Sequence, residues 1–65
     1  MKNLEYLAKK LARDVNKTKI EIKMEPMNSY ERRIIHSALS DDKFVYTSSV
    51  GEEPNRCVVI KPREE

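Results

Sequence analysis

On a helix spanning residues 28 to 40, Arg32 and His36 stand about one turn apart, with Arg33 beside them. The guanidinium fork matches the geometry of a phosphate, and an imidazole can donate a hydrogen bond or stack on a base. A nucleic-acid backbone is a natural acceptor for such a pair. The same spacing also fits an ordinary solvated basic edge, with His36 bonded to a neighbouring carbonyl. Other chemistry is scarce. There is no glycine-rich phosphate loop and no serine flanked by glycines, and the single His and single Cys, Cys57, supply no second partner for a dyad. Asp41 and Asp42 are adjacent and point in different directions, which disfavours an acid/base pair. One Cys and one His are too few for a structural zinc site. The chain is therefore not expected to be an enzyme, and neither a metal nor a cofactor is expected.

The elements that must carry these residues are legible from hydrophobic periodicity. Leu4, Leu7, Ala8, Leu11, Ala12 and Val15 recur at intervals of three and four, which predicts an amphipathic helix from Met1 to Asn16, with Asn16 ending it in the left-handed conformation. Ile20, Ile22 and Met24 alternate with charged residues, a period of two that predicts a strand from Thr18 to Met24, stopped by Pro26. Asn28 followed by Glu31 fits a capping box and opens a second helix that runs to Ser40. Its apolar side is Tyr30, Ile34, Ile35, Ala38 and Leu39, with Ser29, Arg32, Arg33, His36 and Ser40 together on the other side. Strands follow over Lys43–Val50 and Arg56–Lys61, joined as an antiparallel hairpin by a loop holding Gly51 and Pro54. The order helix, strand, helix, strand, strand predicts a two-layer α+β domain in which two helices cover one face of a small three-stranded sheet.

Composition bounds the function classes. The 65 residues are 37% charged and 38% hydrophobic, enough for one small core and no crevice between domains. The formal net charge is +2, and the basic residues concentrate in the first forty positions. That is a mild bias, well short of duplex-DNA binders that work by charge alone. The longest apolar run is Val58-Val59-Ile60, far from a membrane span, and the first residues lack a continuous apolar signal region, so the expected location is cytoplasmic. Residues 62–65 read as a flexible tail. Tyr30, Phe44 and Tyr46 are nearly all the aromatic mass on offer and are expected in the core, although Tyr46 could instead stack on a base. Cys57 reads as a small apolar strand residue.

The segment EPMNSYERRIIHSAL, Glu25 to Leu39, followed by GEEPNRCVVI, Gly51 to Ile60, resembles the R-three-H domain, in the form found in the Jag-type (SpoIIIJ-associated, KhpB) family. The resemblance runs from about Leu4 to Ile60. It implies binding of single-stranded nucleic acid, with Arg32 and His36 as the signature pair on an exposed helix side. The family pattern of Gly, Pro and Arg before the last strand falls on Gly51, Pro54 and Arg56. Two departures stand out: Cys57 occupies a position that is commonly basic, and Ser29 one that is often Pro. The resemblance further implies a module cut from a longer chain with a KH domain, which favours RNA, and an association with a membrane insertase.

The expected mechanism is a grip on the backbone of one strand. Arg32, His36 and Arg33 hold it on the helix edge, and Arg56 with Lys43 or Lys61 extends the positive surface across the sheet rim. Thr47, Ser49 and Gly51 share one side of their strand and could offer hydroxyls and bare backbone to a phosphate, or be ordinary strand and turn residues. Sequence preference is expected to be slight, and the isolated module is expected to be monomeric. The rival expectation is a protein-interaction module that docks an acidic partner or a neighbouring domain through the same arginines.

Overall fold

The computed structural model describes residues 3–63, with two helices and three strands in the expected order. Helix α1, Leu4–Thr18, opens at Asn3, whose side chain accepts the Tyr6 N–H at 3.0 Å. Its buried stripe is Ala8, Ala12 and Val15, small residues that let the helix lie close to its neighbours. The helix runs two residues past the expected stop at Asn16. It is Lys19, at φ 63°, that takes the left-handed conformation and donates to the Val15 carbonyl at 2.7 Å. Met1, the expected start of this helix, lies outside the described residues.

That longer helix shortens the first strand. Thr18 is helical and Lys19 turns the chain, so only β1, Ile22–Lys23, forms a ladder in place of the expected Thr18–Met24. Ile20 is left 67% exposed, while Ile22 packs against the core and Met24 is buried. Pairing continues loosely beyond β1, with the Met24 N–H on the Val58 carbonyl at 2.9 Å and the Met27 N–H on the Arg56 carbonyl at 3.1 Å.

Helix α2, Ser29–Leu39, is opened by the expected capping box. The Glu31 N–H donates to Asn28 Oδ1 at 2.8 Å, and the Asn28 N–H donates to Glu31 Oε1 at 3.3 Å. After the helix, Asp42 Oδ1 accepts the N–H groups of Phe44 at 2.7 Å and Val45 at 3.2 Å, a side-chain turn that aims the chain into the next strand. Strands β2, Val45–Val50, and β3, Cys57–Pro62, form the antiparallel hairpin, and the sheet order is β1-β3-β2, antiparallel throughout.

Both helices lie on one sheet face. The core there is Ala8, Ala12, Val15, Met24, Ile35, Leu39, Val45, Val58 and Ile60. The aromatic side chains are not in it, contrary to the expectation from composition: Tyr30 is 70% exposed, Phe44 53% and Tyr46 41%. The reasons are positional. Tyr30 sits on the first turn of α2, off the Ile35 and Leu39 stripe; Phe44 precedes β2; and Tyr46 follows buried Val45, so the alternation of a strand turns it to the opposite face. Cys57 is buried, as expected of a small apolar strand residue. Of the tail expected over residues 62–65, Pro62 instead closes β3 and the Arg63 N–H donates to the Phe44 carbonyl at 2.8 Å; residues 64 and 65 lie outside the described residues.

A core of aliphatic side chains makes a clear stability contrast. Ile35→Ala should cost about 2 to 5 kcal/mol, a large part of the stability of a domain this small, whereas Tyr30→Ala should change it by no more than about 0.5 kcal/mol. Urea denaturation followed by circular dichroism measures both.

Candidate functional site

In the β2–β3 register, Thr47 stands opposite Ile60 and Ser49 opposite Val58, both core residues, so Thr47 and Ser49 share the face that carries the helices. β2 is an edge strand, and the open side of this face lies beside α2. There the Thr47 hydroxyl and His36 Nδ1 share a hydrogen bond across the helix–strand seam. The hydroxyl can donate to a bare Nδ1 or accept from a protonated one, so the contact survives either state of the ring. The imidazole is otherwise exposed.

Arg32 is placed differently from the expectation of a surface residue. It is 9% exposed, on the same stripe as Ile35 and Leu39, positions three and seven residues further along the helix. Its Nη1 donates to the Met27 carbonyl at 2.6 Å and its Nη2 to Glu53 Oε2 at 2.7 Å. The guanidinium thus ties the start of α2 to the loop between β2 and β3. Glu53 itself remains largely exposed, so water screens the ion pair from one side and the two directed hydrogen bonds carry most of its value.

The same loop is closed from within. Arg56 Nη1 donates to the Gly51 carbonyl at 3.0 Å, and the Asn55 N–H donates to the Glu52 carbonyl at 2.7 Å. Gly51 has φ 91°, and a Cβ there would stand 3.2 Å from the Asn55 carbonyl oxygen, so backbone conformation and close approach both call for glycine. Of the expected site residues, Arg32, Gly51 and Arg56 therefore gather at one end of the hairpin, and His36 and Ser49 line its helix-facing edge. Lys43 lies at the far end of β2, about 20 Å of strand away, and Lys61 lies on the other sheet face, opposite Tyr46. Arg33 and Lys43 are exposed, and neither has a carboxylate partner among the described residues.

Two partners escaped sequence reasoning: Glu53, which holds Arg32, and Thr47 in its bond to His36. The position of Arg32 relative to Ile35 and Leu39 was the available signal for the first. No periodicity announces the second, which depends on how α2 is set over the sheet. Among the described residues no cluster of three or more metal-ligating side chains occurs, and no helix is long and apolar enough to cross a membrane.

The profile of the R-three-H domain family matches residues 2–62. RNA-binding protein KhpB of Clostridium symbiosum is 56% identical over 62 residues, which is 95% of this chain and 28% of that protein. RNA-binding protein KhpB of Bacillus subtilis (strain 168) is 51% identical over 59 residues, 88% of this chain and 28% of that protein. The protein of the same name from Lactiplantibacillus plantarum is 39% identical over 61 residues, 94% of this chain and 19% of that protein. The chain thus spans less than a third of the length of these relatives.

With two of its donors engaged inside the protein, Arg32 should behave as a structural residue. Arg32→Ala should lower stability by about 1 to 3 kcal/mol, and Arg32→Lys should recover little, because one ammonium cannot reproduce the planar fork. Thermal melts at low and high salt measure the loss.

Proposed function

Because this chain belongs to the R-three-H domain family, we propose that it is a module that binds single-stranded nucleic acid, RNA ahead of DNA, by its phosphate backbone along the seam between α2 and β2. The observation that carries the reading is the His36–Thr47 bond. It pins an exposed imidazole by Nδ1 and leaves Nε2 to meet a phosphate oxygen or a base. Arg33 is the exposed guanidinium beside it, and Ser49 offers a hydroxyl on the same edge. Lys43 and Arg56 add positive charge at the two ends of the hairpin. Arg32 serves this surface from beneath by holding the loop that presents Gly51 and Arg56. The preference for RNA follows the relatives, which are named as RNA-binding proteins.

On this reading the grip is on the backbone, sequence preference is slight and the affinity is mostly electrostatic. With three to five phosphates contacted, the logarithm of the binding constant should fall with the logarithm of salt with a slope of about −2 to −3.5. So few contacts make a weak binder in isolation, and in a full-length protein a neighbouring KH domain would raise the affinity by tethering. The membrane insertase association belongs to that larger setting, as does residence in the cytoplasm.

Fluorescence anisotropy of labelled single-stranded RNA and DNA, with this protein at low and physiological salt, tests the reading. Arg33→Ala and His36→Ala should each weaken binding several-fold while leaving the fold intact by circular dichroism, and raising the salt concentration should weaken wild-type binding. A folded protein that binds neither polymer at low salt would overturn the proposal and leave the docking of an acidic protein partner as the reading of the same surface.

A further inference from the structure

The sheet has a second face, opposite the helix-packed core, on which Cys57 and Val59 of the central strand are buried while the Tyr46 ring stays accessible. Alternation from the buried residues places Tyr46, Ser48 and Val50 of β2 there, with Cys57, Val59 and Lys61 of β3 and Lys23 of β1. Tyr46 pairs directly with Lys61, and the Arg63 guanidinium lies 5.6 Å from the Tyr46 ring centroid. That distance is near the outer limit of a cation–π contact, and the ring keeps 41% of its surface open. β2 and β3 contain no acidic residue; of the acids near this face in sequence, Glu21 and Glu25 flank Lys23 at the opposite edge of the sheet, Glu52 follows Val50 in the hairpin loop, and Glu64, next to Arg63, lies outside the described residues.

From this arrangement the geometry points to a second contact surface for single-stranded nucleic acid, in which a base stacks on Tyr46 while Lys61 and Arg63 meet the flanking phosphates. The inference rests on the nucleic-acid reading above and extends it to the other side of β2. An accessible aromatic ring beside two cations, on a pair of strands without carboxylates, suits a nucleic-acid strand that offers a flat π surface and a negative charge at every step. The two surfaces are continuous. β2 is the edge strand, with Thr47 and Ser49 on one face and Tyr46 and Ser48 on the other, so a single chain can pass over the edge and touch both. Stacking of this kind tolerates any base, in keeping with slight sequence preference.

The test uses a labelled oligouridylate of about 12 nucleotides, within the site sizes of single-strand binders, titrated into wild type, Tyr46→Ala, Tyr46→Phe and His36→Ala. A parallel wild-type sample carries a photoactivatable 4-thiouridine oligomer, with crosslinked peptides identified by mass spectrometry. Tyr46→Ala should weaken binding by about tenfold, Tyr46→Phe should bind like wild type, and crosslinks should map to Tyr46. If Tyr46→Ala binds like wild type while His36→Ala is weakened, the outer face is excluded and the α2–β2 seam stands alone. If wild type binds nothing at low salt, both readings fall together. Should Tyr46→Ala fail to fold, the crosslinks decide: adducts confined to α2 overturn the proposal, and an adduct on Tyr46 supports it.

Discussion

Strand β3 is paired on both sides, and the placement of every other element depends on it. Val58 and Ile60 face the helices and are fully buried, and the bonds from Met24 and Met27 hold the β1 segment along one flank while β2 occupies the other. The side-chain period of a strand is two residues, so a slip of one position would exchange the two faces of β2. Thr47 would then leave His36, and Tyr46 would turn toward the helices. Burial of the β3 side chains is thus what places a hydroxyl at the α2 seam and an aromatic ring on the opposite face.

The second constraint is the pair of hydrogen bonds from Arg32. A loop of six residues between two strands has little apolar surface to hold it, and its conformation is fixed by polar contacts: Arg32 on Glu53, Arg56 on the Gly51 carbonyl, and a positive φ that only Gly51 adopts without strain. The long side chain of Arg32 starts on the core stripe of α2 and ends at this loop. Its methylene stem shares the buried side with Ile35 while its head reaches a carboxylate that stays in water, the usual compromise for a long cation at the margin of a core.

Much of this architecture is legible in the chain. The Asn28 and Glu31 capping box, the three-and-four spacing of α1 and the hairpin around Gly51 are local signals, and each is realised. The failures share a different cause. The stretch 18–24 alternates as a strand should, yet α1 continues through Thr18 and turns at Lys19, because a helix already nucleated extends by one bond per residue. Mass alone points the aromatic residues to the core, whereas position decides: in a domain this thin the space between helices and sheet is filled by Ala, Val, Ile, Leu and Met24. Residue type points Arg32 to the surface, although its spacing from Ile35 and Leu39 puts it on the buried stripe.

The spacing of the signature pair has a geometric meaning that residue type alone does not convey. Four residues advance a helix by about 400°, so His36 projects about 40° round from Arg32. At the border of the buried stripe that small rotation separates two tasks. Arg32 falls just inside the border, where a long arm can cross beneath the helix start to the loop; His36 falls just outside it, where a short ring meets Thr47 on the edge strand and remains in solvent. A spacing of three would carry the imidazole back toward the Ile35 side, and a spacing of five would swing it away from β2 altogether. One helix set against one strand edge thus makes Arg32 an internal brace and leaves the His36 ring in solvent beside Thr47.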